Sequence, residues 1–238
     1  MLDIYQKVNA PLEQLQDELF DEKDVKVFIK REDLIHPNIS GNKWRKLKYN
    51  LIEAKKQGFD TLLTFGGAYS NHIHALSIAG NLMGFKTIGC LRGEEQLPLN
   101  FTLSEAAKNE MTFHYMSRSA YREKTSEKIL ASLKEQYGDF YLVPEGGTNV
   151  SAVKGCSEII DEFDFTPDYI FSGIGTGGTI AGLITGMKGQ GEILGVSSLK
   201  GGDFLTQDIV NLLPTPQTNW DVLTGYHFGG YAKTKEEL

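Results

Sequence analysis

Cysteine is nearly absent: Cys90, in an apolar run, and Cys156, in a helical pattern, are the two in 238 residues. That argues against a disulfide framework or a cysteine-built metal site and fits buried thiols in a reducing compartment. Long apolar runs are missing too, so no segment reads as a membrane span. The opening MLDIYQKVNAPLEQL lacks the basic and apolar stretches of an export signal. A soluble, cytoplasmic protein is the expectation. Positive charge is in deficit, 24 Lys and Arg against 31 Asp and Glu, for a formal net charge of −7. Such a surface does not gather phosphate backbones, so nucleic acid is not an expected partner. There is no long run of one charge sign, no internal repeat and no low-complexity linker.

What the chain does have is a regular alternation of short β-rich runs and helix-period segments. Strands are expected at Val25 to Lys30, Thr61 to Phe65, Lys86 to Leu91, Met111 to Met116, Phe140 to Val143, Tyr169 to Ser172 and Ile193 to Ser197. Helices are expected at Lys43 to Gln57, Ser70 to Met83, Arg122 to Tyr137, Val150 to Phe163 and Thr179 to Met187. This order predicts an α/β fold, with open, mostly parallel sheets and helices on both faces. The last residues, GYHFGGYAKTKEEL, read as a loop and the first turn of a helix whose apolar face never arrives.

Three glycine-bearing turns follow strands: FGGAYSNH (65–72), PEGGTN (144–149) and SGIGTGGT (172–179). In open α/β sheets ligands bind beyond the carboxyl ends of strands, so one crevice is expected to collect them. In the third turn, Gly175, Thr176, Gly177, Gly178 and Thr179 offer backbone N–H groups and two hydroxyls at a helix N-terminus, a cup for an anion. Gly173, Gly175 and Gly178 also spell the dinucleotide fingerprint. That fingerprint needs an acid at the end of the next strand, where this chain has Ser197 and Ser198, with Asp203 further on. A single phosphate is the better match; a tight turn without a ligand is the plain alternative.

Lys43 stands where a loop becomes a helix. A solvated surface lysine is the ordinary reading of such a position. Against it, the positive end of the helix dipole and the like charges of Arg45 and Lys46 favour a neutral amine, which is a nucleophile suited to imine chemistry. Gly41 leaves room for a cofactor, and Asn42 is placed to cap or orient the turn. An imine-forming lysine with a cup for one phosphate points to pyridoxal 5′-phosphate. A rival reading takes Ser40 to Lys43 as the S-x-x-K of a serine acyl-enzyme and Tyr69, Ser70 and Asn71 as its second element; the K-[ST]-G element is missing.

KREDL (30–34), SGNKWRKL (40–47), GGAYSNH (66–72) and GTGGT (175–179), in that order and spacing, resemble the fold-type II, tryptophan-synthase-β-like pyridoxal enzymes. Within them the match is to the 1-aminocyclopropane-1-carboxylate deaminase and D-cysteine desulfhydrase family, over essentially the whole chain. The resemblance implies that Lys43 carries the cofactor and moves the proton, and that Asn71 bonds the cofactor's 3′-oxygen. It implies that Ser70, Asn71 and His72 cradle the substrate carboxylate, with Ser70 also counted as catalytic. Read without it, Asn71 is an ordinary N-cap and His72 or His74 a partly buried, satisfied histidine. Tyr226 and Tyr231 lie in a loop resembling one that reaches the family's active site; Tyr231 is the candidate substrate contact, and a surface or core tyrosine is the alternative for either.

The resemblance further implies a smaller domain, residues 51–149, inserted in a larger one, residues 1–50 and 150–238, with the cofactor between them and a homodimer as the assembly. Two departures stand out. The family shows an arginine and a glutamine where this chain has His74 and Ala75. Its members also continue for several dozen residues beyond Leu238, so the larger domain is expected to be incomplete at its C-terminus. Two functions stay open: a lyase or deaminase turning a small amino acid into a 2-oxo acid and ammonia, and a truncated or non-catalytic binding protein that keeps the fold.

Overall fold

The computed structural model describes residues 9–39 and 41–229. It opens on β1 (Leu12–Leu15), α1 (Glu18–Glu22) and β2 (Val27–Lys30), the two strands pairing antiparallel. The strand expected from Val25 is therefore real, but it joins neither parallel sheet. Ile29 is exposed and Lys30 polar, whereas a parallel strand covered on both faces is apolar along its length. Next comes α2 (Lys43–Lys56), which buries Trp44, Leu47, Leu51 and Ala54 at helical spacing.

A strand and helix alternation follows: β3 (Thr61–Gly66), α3 (Asn71–Leu82), β4 (Lys86–Arg92), α4 (Phe101–Lys108), β5 (Thr112–Met116), α5 (Arg118–Arg122), α6 (Glu127–Tyr137) and β6 (Tyr141–Val143). These strands make one parallel sheet in the order β5-β4-β3-β6. Central β3 is buried at every position, as a strand covered on both faces should be. Leu62, Ile73, Leu76 and Met111 pack on one side with α2, while Leu63, Phe65, Cys90 and Leu133 pack on the other. The single helix expected from Arg122 to Tyr137 is split, because Ser126 is extended (φ −66°, ψ 146°) and begins α6 as its N-cap residue.

The remainder is α7 (Val150–Ser157), β7 (Tyr169–Ile174), α8 (Gly178–Met187), β8 (Glu192–Ser197), α9 (Phe204–Leu212) and β9 (Trp220–Leu223). Its strands form a second parallel sheet, β7-β8-β9, over a core that includes Ile174, Ile180, Ile193 and Ile209. Helix α7 is wedged between α2 and α8 at very close range. A Cβ on Gly155 would lie 1.9 Å from the Arg45 carbonyl oxygen, and one on Gly182 would lie 2.2 Å from Cys156 Cβ. This spacing sets the start of α2 beside the start of α8. On the far side, Arg45 pairs with Glu32 (2.9 Å) and Glu162 (2.6 Å), and Lys30 reaches Glu162 at 2.6 Å, tying α2 to β2.

Candidate active site

A cavity of about 230 Å³ opens where the carboxyl ends of the strands face the start of α2. All three glycine-bearing turns contribute: Ser70, Asn71 and His72 from the first, Glu145 and Gly146 from the second, and residues 173–180 from the third. Lys43 lines the same space.

Lys43 is the first residue of α2, half-buried, and its Nζ donates to Asn42 Oδ1 at 3.1 Å. Asn42 does not cap the helix with its side chain. Its Nδ2 instead donates to Thr179 Oγ1 at 2.6 Å, coupling the lysine turn to the glycine loop. Burial holds the Lys43 amine below the usual lysine range. Arg45 was expected to help in this; it is turned away into its carboxylate pairs, where, against the desolvation cost of burial, it is held more firmly protonated than usual.

Lys46 carries a role that composition hid. One turn beyond Lys43 on the same face, it is 2% exposed, and its Nζ donates to Thr148 Oγ1 (2.7 Å) and Thr176 Oγ1 (3.1 Å). Burial, and then the charge of Lys43, push its amine down to about 7. The spacing of three residues and the threonines in two glycine turns were the available signal. Glu145 was missed as well. It lines the cavity, accepts from Tyr121 Oη at 2.8 Å and pairs with Lys124 at 3.2 Å.

The glycine loop has the form of an anion cup. Gly177 is left-handed (φ +76°) and α8 begins at Gly178. The amide of Ala181 bonds back to Gly177 O, and the amides ahead of it are the free donors every helix start leaves. At the end of β8, where a dinucleotide site needs an acid, Ser197 Oγ accepts from the Leu199 amide, while Asp203 is exposed at the start of α9.

At the start of α3 the N-cap is Ser70, whose Oγ accepts from the Ile73 amide at 3.4 Å; Asn71 is the exposed first helical residue. His72 is 2% exposed, with Nε2 2.8 Å from Thr64 Oγ1. Burial and the nearby charges of Lys43 and Lys46 hold its pKa well below the ordinary value. His74 is half-buried and stacks on Phe101 with ring centroids 6.1 Å apart. Tyr231 and Ser40 lie outside the described residues, and Tyr226 is exposed.

A half-buried amine of depressed basicity beside a cup of amides, hydroxyls and a second, buried amine is the equipment of an enzyme that holds an aldehyde cofactor by a phosphate. Residues 6–225 match the profile of the pyridoxal-phosphate dependent enzymes, and the chain belongs to that family. A Pyrococcus horikoshii protein provisionally assigned as a 1-aminocyclopropane-1-carboxylate deaminase is 31% identical over 226 residues, 89% of this chain and 70% of that protein. The bifunctional D-cysteine desulfhydrase/1-aminocyclopropane-1-carboxylate deaminase, mitochondrial, of Arabidopsis thaliana is 32% identical over 178 residues, 67% of this chain and 44% of its own length. The crystal structure of an ACC deaminase homologue superposes with a TM-score of 0.79 at 27% identity, covering 94% of this chain and 73% of the other. The protein is thus a pyridoxal-phosphate dependent enzyme of the α/β class.

Proposed function

We propose that the enzyme is a deaminase or lyase acting on a small amino acid of the D-cysteine or 1-aminocyclopropane-1-carboxylate type, releasing a 2-oxo acid and ammonia. The observation that carries this reading is the convergence of Lys43, the start of α3 and the glycine loop on one cavity. The bound cofactor supplies an aldehyde that captures amines and a cationic ring that draws electrons from the bond to be broken.

Lys43 holds the cofactor: it lines the cavity, its amine donates to Asn42, and burial favours the neutral form that makes imines. Lys46 serves the phosphate instead: its Nζ is fixed by the threonines beside the cup, and an anion bound there favours its charged form. Residues Gly175, Thr176, Gly177, Gly178 and Thr179 supply the remaining phosphate donors. Asn71 would bond the cofactor's 3′-oxygen, and the amides at the start of α3 would receive the substrate carboxylate, leaving Ser70 Oγ to cap the helix. Residues 51–149 move as a smaller domain against the rest, closing the cavity over the substrate. The enzyme works as a homodimer, and two buried cysteines that remain thiols support the cytoplasm as its compartment.

Ring opening is the narrower task, and His74, stacked on Phe101, stands where the family resemblance expects an arginine. Ammonia release from D-cysteine is therefore expected to exceed that from 1-aminocyclopropane-1-carboxylate at equal concentration. Faster ring opening reverses the preference, and no ammonia from either, with cofactor bound, removes the substrate assignment.

A further inference from the structure

Asparagine is the N-cap of α2, α4 and α7, and in α2 its side chain is not used by the helix. Asn100 and Asn149, ahead of α4 and α7, accept with Oδ1 from the amides of Leu103 and Ala152, both at 3.0 Å. An N-cap ordinarily takes an extended backbone, from which its side chain reaches those amides. Asn42 has a helical backbone instead (φ −60°, ψ −5°) and makes no such bond. Its Oδ1 accepts from Lys43 Nζ at 3.1 Å, and its Nδ2 donates to Thr179 Oγ1 at 2.6 Å. All three residues line the cavity.

The two ends of this amide are not interchangeable. A lysine ammonium has hydrogens and no lone pair, so it takes the carbonyl end. Thr179 then receives the NH2 end, and its own hydroxyl hydrogen is left for the Cys156 sulfur beside it or, with the cup filled, for the anion. Thr179 thereby holds the nitrogen end and keeps the oxygen on Lys43. Among the described residues, Asn42 alone hydrogen-bonds the Lys43 amine. A lysine that carries a cofactor must be free of it for part of each turnover. The released amine ends a flexible four-carbon stem, and a misplacement of about 1 Å from the reacting atoms lowers a rate by roughly 100-fold.

We propose that Asn42 is a positioning residue: its amide, oriented by Thr179, holds the released Lys43 amine at one place in the cavity, from which the amine moves the proton. The proposal rests on the reading of Lys43 as the amine that carries the cofactor. It gives the asparagine before the lysine a task in turnover, where the sequence suggested a helix cap.

Two measurements test it, the first on the cofactor-free protein. The groups that share a field with Lys43 are Lys46 on α2, Cys156 on α7 and His72 on α3, and Glu145 lines the same cavity. Trace acetylation with acetic anhydride from about pH 6 to about pH 11, read by fragment-ion mapping, follows Lys43 apart from Lys46. Asn42→Asp, nearly isosteric, should move the Lys43 midpoint up by about one pH unit or more and that of Lys46 by less, since a carboxylate within hydrogen-bond reach favours the ammonium. The second measurement is on the loaded enzyme. Asn42→Ala should lower kcat by roughly 10- to 100-fold and leave KM within about threefold. With Thr179→Val already present, the same change should lower kcat by less than about threefold further, because the amide has lost its orientation. Asn42→Asp should be slow at neutral pH and recover as pH rises past the shifted midpoint. A Lys43 midpoint unmoved by the carboxylate, a kcat within about threefold of the unaltered enzyme in Asn42→Ala, or a rise in KM alone overturns the proposal by itself. A borohydride label on another lysine of the unaltered protein overturns the reading of Lys43 and the proposal with it.

Discussion

The two parallel sheets are built from similar strands and treated very differently. In β5-β4-β3-β6 the strand Thr61–Gly66 is buried at all six positions, with apolar clusters on both faces. In β7-β8-β9 the strand Tyr169–Ile174 alternates, its inner residues on one core and Tyr169 and Phe171 left 58% and 65% exposed. A parallel sheet is normally covered on both faces. Stability of the described fold therefore resides mainly in the first sheet and in the helices α2, α7 and α8, while the second sheet presents the cup from a surface covered on one side. The site sits between them and takes its amines from α2, which packs against both.

This contrast can be broken from either side. Leu63→Ala, in the doubly covered sheet, should cost about 2–5 kcal/mol in denaturant unfolding. A loss below about 1 kcal/mol would mean that this core is looser than its burial implies. Gly177→Asp, on the cup, should cost the cofactor-free protein about 1–3 kcal/mol, because a side chain is forced into a left-handed residue, and should weaken cofactor binding on the order of 100-fold, because a carboxylate is set against an anion. Unchanged affinity would take the loop out of the site.

A smaller effect lies on the shared helix. Lys46 keeps its proton to about 10.5 when unfolded and gives it up near 7 when folded. Between those values the unfolded chain binds more protons, so stability rises with pH. The buried thiols Cys90 and Cys156 pull the other way above pH 9, their folded values being pushed up to about 12 and about 11. From pH 7 to 9 the cofactor-free protein should therefore grow more stable, and Lys46→Met should flatten that slope; an unaltered slope would show that Lys46 is not the group responsible. Smallest of all, Phe171→Ser on the open face should change stability by no more than about 0.5 kcal/mol.

The same contrast explains what was legible in the sequence. Strands β3, β4 and β7, and the helices α2, α3 and α8, were readable because β-rich runs and helical stripes leave a pattern. The motifs around Lys43, Ser70 and Gly175 were readable because glycines and caps mark turns. Short elements were not. Strand β1, LEQL, is exposed at three of its four positions, and α4 and α9 follow polar loops that hide their starts. Nor does a sequence show which lysine is buried: Lys46 reads as a solvated charge until Thr148 and Thr176 are seen around it. Arg45 was misjudged for the same reason, since Glu32 and Glu162 are distant or unremarkable in the chain and adjacent in space.

The central claim is that Lys43, and not its buried neighbour Lys46, holds the cofactor. Borohydride reduction of the cofactor-loaded protein followed by peptide mapping tests it most directly. The account predicts the reduced pyridoxyl label on Lys43, with none on a Lys43→Ala variant that still folds; a label on Lys46 would contradict it.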